Sequence, residues 1–296
     1  MKILLIFNPN AGHGHAGKML SQVERAFNDH NIEFDLQLTQ FPGHGIEIIR
    51  NADLSVYDGL VAAGGDGTLF EVINGYFQHP AEMWIPIGIL PIGTGNAFAR
   101  DLDLDRSKWM EAIKIIANQK TRKVDIGKFH SNGQDYYYLN ILGLGFVADV
   151  TGIAHKLKLI GNFSYTLGVL IRTIFLSADT LSIEIDGKNI ERKCTFVEIS
   201  NTRYTANFLM APKAIIDDGL LDVTIALKLN RRRLLKCFPK IFTGEHVLMP
   251  EIETFQAKSI KIVSKKTKVL SPDGELFGTT PVEIECLKQK IEVYWK

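Results

Sequence analysis

The chain has 296 residues, 46% hydrophobic and 23% charged, enough for a large core and more naturally read as two domains than as one. Its 34 basic and 33 acidic residues give a formal charge of +1, which argues against a protein that lives on nucleic acid. Three scattered cysteines, Cys194, Cys237 and Cys286, suit neither a disulfide framework nor a zinc site and point to a reducing, cytoplasmic compartment.

The apolar run of residues 3–7 is too short for a signal peptide, and Pro9 closes it. No stretch approaches the ~20 apolar residues that span a bilayer. The most apolar longer segment, residues 163–176, is interrupted by Arg172. Any membrane contact is therefore expected from outside.

The first part alternates strand and helix patterns. Residues 2–7 form a short β-rich run ending in a Pro/Gly loop. Helical spacing follows over 16–30 (Met19, Leu20, Val23, Phe27), then alternation over 34–38 and a helix over 44–51. Residues 60–63 form a buried strand, and 69–77 a helix opened by the capping-box pattern Thr68-Leu69-Phe70-Glu71. Residues 85–90 form another strand, and Asn96 caps a further helix start. Strands and helices alternating at this spacing predict a parallel sheet with helical crossovers.

After about Val124 the strand patterns follow one another: 124–129, 136–142, 181–185, 190–199, 220–227, 259–263, 282–286 and 291–294. Asp186-Gly187 is a hairpin turn signal. Helical segments near 149–176 and 231–242 interrupt the series, which reads as a mostly antiparallel β domain. We divide the chain into an α/β domain over 1–125, rejoined by a terminal strand over 286–296, and a β domain over 126–285.

The sharpest local signal is Gly64-Gly65-Asp66-Gly67-Thr68, between a strand and a helix. Glycines let a ligand approach the backbone, and the N–H groups at a helix start favour phosphate. Asp66 would repel a bare phosphate but is suited to a divalent cation held between carboxylate and phosphate. A plain glycine turn is the competing reading. Asn8-Pro9-Asn10-Ala11-Gly12 and Gly93-Thr94-Gly95-Asn96 take equivalent places after other strands. In a parallel sheet such loops converge on one crevice, which makes a nucleotide site of the three together.

These segments, with Ala97-Phe98-Ala99-Arg100, Asp218-Gly219-Leu220-Leu221-Asp222-Val223 and Asp273-Gly274-Glu275, resemble in the same order the diacylglycerol kinase catalytic family, which includes sphingosine and ceramide kinases. The resemblance implies an N-terminal Rossmann-like, phosphofructokinase-like α/β domain and a C-terminal antiparallel β-sandwich, with the active site in the cleft between them. It further implies ATP and Mg²⁺ as cofactors and a membrane lipid as acceptor, and it leaves a homodimer open. By position, Asn8, Thr39, Gly64, Gly65, Asp66, Gly67, Thr68, Leu69, Phe70 and Thr94, with Gly95 and Asn96 beside it, match nucleotide-contacting residues. Glu275 matches the proton acceptor, with Asp273 beside it and Asp66 completing the catalytic set. Asp218 and the carbonyls of Ile215 and Leu220 match a structural magnesium loop, and an oxygen-only set fits a hard cation. Taken alone, Asp273-Gly274-Glu275 reads as a surface turn and the Asp218 loop as an acidic turn before a strand.

The chain also departs from that family. Ala97 stands where bacterial members commonly have Asp, Phe70 where many have Asn, and Ala206-Asn207 replace the usual glycines after Tyr204. Gly12-His13-Gly14-His15-Ala16-Gly17-Lys18 imitates a P-loop, but Met19 replaces its Ser or Thr. Gly143-Leu144-Gly145-Phe146-Val147-Ala148 imitates a dinucleotide fingerprint without a βαβ unit around it. Residues 157–175 read as a helix packed on the sandwich or, alternatively, as a wall for acyl chains. Arg231-Arg232-Arg233-Leu234-Leu235-Lys236 reads as a solvated helix face or a contact with an anionic membrane. The expected function is an ATP-dependent lipid kinase acting on a diacylglycerol-like alcohol. Sphingoid or ceramide kinases, an NAD kinase-like enzyme and a non-catalytic lipid-binding protein are the alternatives.

Overall fold

The structure, a computed structural model, describes residues 1–81, 84–156, 173, 176–205 and 208–296. Most of the apolar segment at 157–175, and the Ala206-Asn207 departure, lie outside the described residues. The chain divides into two units, Met1–Val124 with Gln289–Lys296, and Asp125–Lys288.

The first unit is built from β1 (Lys2–Phe7), α1 (His15–Asp29), β2 (Glu33–Leu38), α2 (His44–Asn51), β3 (Gly59–Gly64), α3 (Asp66–Phe77), β4 (Ile87–Pro91), α4 (Ala97–Asp101) and α5 (Trp109–Ala117). Its strands lie in the order β4-β3-β1-β2, all parallel. β3 is buried along its whole length, and β1 from Ile3 onward. Both read as unbroken apolar runs, as parallel strands covered on both faces do. α1 turns Ala16, Met19, Val23 and Phe27 inward, at the spacing of one helical face.

The second unit contains β5 (Thr121–Ser131), which starts in the first, then β6 (Gln134–Tyr138), β7 (Ile141–Gly145), α6 (Phe146–Lys156), β8 (Asp179–Ile185), β9 (Lys188–Ser200), β10 (Tyr204–Thr205), β11 (Phe208–Leu209) and β12 (Leu221–Leu227). α7 (Arg231–Ile241), β13 (Ile252–Ala257), β14 (Ser259–Ser264), β15 (Leu270–Pro272) and β16 (Val282–Tyr294) follow. The registered pairs within this unit are antiparallel. Besides its pairing with β12, the long β9 serves two partners in turn: Lys188–Cys194 pairs with β8, and Phe196–Ser200 with β7. One strand thus passes from one layer of a sandwich to the other around an apolar core that includes Leu142, Ile183, Val197, Val223, Ile262 and Ile284. A second cluster, with Phe146, Phe196, Leu234, Cys237 and Ile241, seats α6 and α7. The end of β16 returns to the first unit and pairs in parallel with β4 at Val293 and Ile87.

Four sequence expectations need correction. α3 begins at Asp66, so Thr68 lies inside the helix; Glu71 instead accepts the N–H groups of Gly43 (2.7 Å) and Gly45 (2.8 Å) and caps α2. Asn96 sits at the N-cap of α4 but makes no cap bond; its amide donates to Gly93 O. The strand expected over 136–142 is two strands, β6 and β7, broken at Leu139–Asn140. The strands expected over 282–286 and 291–294 are one, β16. Asp186-Gly187 is a hairpin turn with φ of 46° and 79°, as its sequence requires. Among the described residues no helix is long and apolar enough to cross a membrane.

Candidate active site

The ends of β1, β3 and β4 are tied together by backbone and short polar side chains. Asn8, the first residue after β1, donates its N–H to Ala63 O (2.9 Å) and its amide to Thr68 Oγ1 (3.1 Å). Ile92 and Gly93, just beyond β4, both donate to Gly64 O (3.1 and 2.9 Å). A Cβ on Gly93 would stand 2.3 Å from the Cα of Gly65, so two loops touch backbone to backbone and only glycine fits.

Asp66 opens α3, and its Oδ1 accepts the N–H of Ala97, the first residue of α4, at 2.7 Å. A carboxylate between two helix starts is favoured by both macrodipoles. Its position also fits the expected cation partner. In the folded chain this acid also joins the second and third loops. Thr39 follows β2 and donates its N–H to Phe7 O (2.9 Å), which brings it to the same edge of the sheet. Thr94 is exposed, and Gly65, Asp66, Gly67, Gly95 and Asn96 are half-buried, accessible to a ligand. Leu69 and Phe70 are 3% and 1% exposed, so their side chains are core and only their backbone could meet a nucleotide.

The P-loop imitation is closed by the hydrogen bonds it makes. The N–H groups of Gly14, His15, Ala16 and Gly17 donate to the carbonyls of Asn10, Gly12, Ala11 and Pro9. The donors that a P-loop offers to phosphate are thus already used.

In the second unit, Asp273 and Glu275 share one turn but have different surroundings. Asp273 and Gly274 have φ of 46° and 82°, and Glu275 donates its N–H back to Pro272 O (2.8 Å). Asp273 is buried, and its carboxylate accepts the N–H groups of Leu139 (2.9 Å), Asn140 (2.8 Å) and Ile141 (3.0 Å). Those bonds break the β6–β7 run where they do. Burial pushes Asp273 up to about 6, while the three N–H groups pull the other way. Glu275 is half-buried, so of the two it is the acid open to a substrate.

The loop of Ile215, Asp218 and Leu220 is held by an acid the sequence reading passed over. Asp125, fully buried, accepts the N–H of Gly219 at 2.6 Å and donates its own N–H to Ile216 O at 2.7 Å. Asn201 anchors the same point, donating its amide to the carbonyls of Asp125 (3.0 Å) and Leu139 (2.9 Å). Asp218 Oδ1 accepts the N–H of Leu220 (2.9 Å). Burial, with the charge of Asp218 adding to it, raises Asp222 to about 6. An all-oxygen, acidic loop fits a hard divalent cation. Among the described residues no three acidic, His or Cys side chains surround one point. An ion here would therefore rest largely on carbonyl oxygens, as the expected set of one carboxylate and two carbonyls has it. The signal for Asp125 was available: an acid inside the apolar strand Val124-Asp125-Ile126 needs a buried partner.

Small loops gathered at the carboxyl edge of a parallel sheet in the first unit, with an acidic turn on an antiparallel sandwich in the second, are what the resemblance to a two-domain kinase implies. The family described as "Diacylglycerol kinase catalytic domain" matches residues 2–129, and that described as "YegS C-terminal NAD kinase beta sandwich-like domain" matches residues 140–295. A diacylglycerol kinase of Bacillus subtilis is 31% identical over 98% of this chain and 94% of its own length. One from Mycobacterium tuberculosis is 28% identical over 99% and 94%. A solved structure of a candidate diacylglycerol kinase from Bacillus anthracis superposes with a TM-score of 0.81 at 28% identity, covering 100% of this chain and 95% of that one. The chain belongs to the diacylglycerol kinase family.

Proposed function

We propose that the chain transfers the γ-phosphoryl group of ATP to the hydroxyl of a diacylglycerol-like lipid. The observation that carries this reading is the Asp66–Ala97 bond, which locks two glycine loops together at the sheet edge in a chain of this family. Asn8, Thr39, Thr94, Gly95, Asn96 and the segment 64–70 hold the nucleotide, the last chiefly through backbone N–H groups. Glu275 takes the proton from the lipid hydroxyl, and Asp273 holds the turn that presents it. Ile215, Asp218 and Leu220 would hold Mg²⁺ in the second unit. A divalent cation, when bound at the phosphates, supplies charge neutralisation for a transition state whose charge lies on the phosphoryl oxygens. Positioning by the loops contributes the rest.

The lipid is reached from the membrane surface. On α7, Arg231, Arg232 and Lys236 are exposed, and the exposed apolar side chains Leu235, Phe242 and Leu248 lie on or just after the same helix. Each basic residue near an anionic surface contributes about 1 kcal/mol. Arg233 is already committed to Glu251 at 2.6 Å.

The test is incubation with labelled ATP and diacylglycerol in mixed micelles. Label is expected in phosphatidate, and Glu275→Gln is expected to lower kcat by about 10²-fold or more with an unchanged melting temperature. Label found only in water-soluble products, or full turnover in the variant, would overturn the reading.

A further inference from the structure

Phe41, in the loop between β2 and α2, is left 48% exposed. Both ends of that loop are held. Thr39, buried at the sheet edge and bonded to Phe7 O, fixes its entry. Glu71 of α3 fixes its exit by accepting the N–H groups of Gly43 (2.7 Å) and Gly45 (2.8 Å). The register of the two helices decides which end of α3 the loop meets. Gly45 lies against Glu71, and four residues later Ile49 lies against Gly75, where an added Cβ would stand 2.9 Å from that of Ile49. α2 and α3 therefore run side by side in the same direction. The residues just ahead of α2 come alongside the first turn of α3, which opens with Asp66-Gly67-Thr68.

The ring of Phe41 is also held in one orientation. One face lies on the His44 imidazole, with centroids 4.6 Å apart and planes 22° from parallel. The imidazole is itself fixed, because Gln40 donates its N–H to Nδ1 (3.1 Å) and His44 donates its N–H to Phe41 O (3.1 Å). Phe41 thus packs one face within its own loop and turns the rest of its surface to solvent. A preorganised, flat apolar face is what a nucleobase stacks on, since every base offers a π-face. The glycine loops offer N–H groups to a phosphate tail but no such face for a base.

We propose that Phe41, backed by His44, is the platform on which the nucleotide's base stacks. This deepens the kinase reading and rests on it for the nucleotide: the base lies on the loop ahead of α2 when the phosphates lie on the segment 64–68.

The experiment is calorimetric titration of the full chain, in magnesium, with ATP and with inorganic triphosphate, which has the tail without the base. Phe41→Ala and Phe41→Leu are each expected to weaken ATP about tenfold and to leave inorganic triphosphate unchanged, with Phe41→Tyr close to the wild type. Val56→Ala, at a comparably exposed apolar residue that precedes β3 at the opposite edge of the sheet, is expected to change nothing. In the micelle assay Phe41→Ala should raise KM for ATP by the same factor and retain kcat. Wild-type affinity for ATP in Phe41→Ala and Phe41→Leu would overturn the proposal, and so would equal weakening of ATP and inorganic triphosphate, which marks a structural role. The two readings fail separately. Lipid labelled with Phe41 indifferent removes the platform alone; ATP bound in a Phe41-dependent way with no lipid labelled removes the lipid kinase and keeps the platform.

Discussion

Asp273 and Glu275, two residues apart, illustrate how a sequence motif divides its labour. Three N–H groups face the Asp273 carboxylate from one stretch of backbone, and this wholly buried acid has little room for anything else. Asp273→Asn tests that reading. Asn tolerates the left-handed backbone found here, so the turn itself is not strained. Its amide, however, must set a donor against the N–H of Leu139, or lose the bonds to Asn140 and Ile141. We expect a loss of about 1–3 kcal/mol of stability in urea unfolding, unlike Glu275→Gln, which should leave stability unchanged. Wild-type stability in Asp273→Asn would remove the clamp. At this scale sequence alone marks the pair as acidic but cannot rank them, because the ranking depends on N–H groups more than a hundred residues away.

Among the elements, those defined by local pattern were legible and those defined by distant partners were not. The period of α1, the apolar β1 and β3, and the Asp186-Gly187 hairpin follow from neighbours in the chain. The β6–β7 break follows from Asp273, and β16 runs unbroken because its two halves find different partners, β14 and β4. The apparent capping box of α3 is the clearest case, since its Glu71 serves another helix. α2 starts at Gly43, which has no side chain to cap it, and Glu71 supplies both missing acceptors. Glu71→Ala should therefore fray α2 rather than α3, at a cost of about 1–3 kcal/mol for two bonds to a charged acceptor. Hydrogen exchange checks this: faster exchange is expected for the first-turn amides of α2, with α3 unchanged. Loss of protection at the start of α3 instead would restore the local reading. The candidate site divides in the same way: the glycine loops and acidic turns are visible in sequence, whereas Asp125 and Asn201, which hold the Asp218 loop, act across 94 and 76 residues.

For the molecule as a whole, the balance of buried and exposed carboxylates sets how stability depends on pH. Glu198 on β9 is 1% exposed, and burial raises it to about 7 against a weak opposing pull from the Thr205 hydroxyl, 2.7 Å away. In the unfolded chain a glutamate titrates near 4.3. Between these values the unfolded state gives up its proton and the folded state keeps it. The contribution of Glu198 is therefore complete below about pH 4 and is lost as pH rises through about 7. Asp222, raised to about 6, acts in the same direction. Carboxylates lowered by partners, such as Asp135 beside His130 and Lys128 and Glu251 beside Arg233, act in the opposite sense, losing stability as pH falls through their folded values. Those are solvent-exposed pairs, each of small worth, so the buried acids should dominate above pH 5. The free energy of unfolding should then fall between pH 5 and pH 8. Glu198→Gln keeps an acceptor for Thr205 and has no proton to lose. Its stability relative to the wild type should be greater at pH 8 than at pH 5 by on the order of 2 kcal/mol. Urea unfolding at the two pH values measures the difference, and a variant with the same pH slope as the wild type would show that Glu198 carries its charge in the fold without penalty.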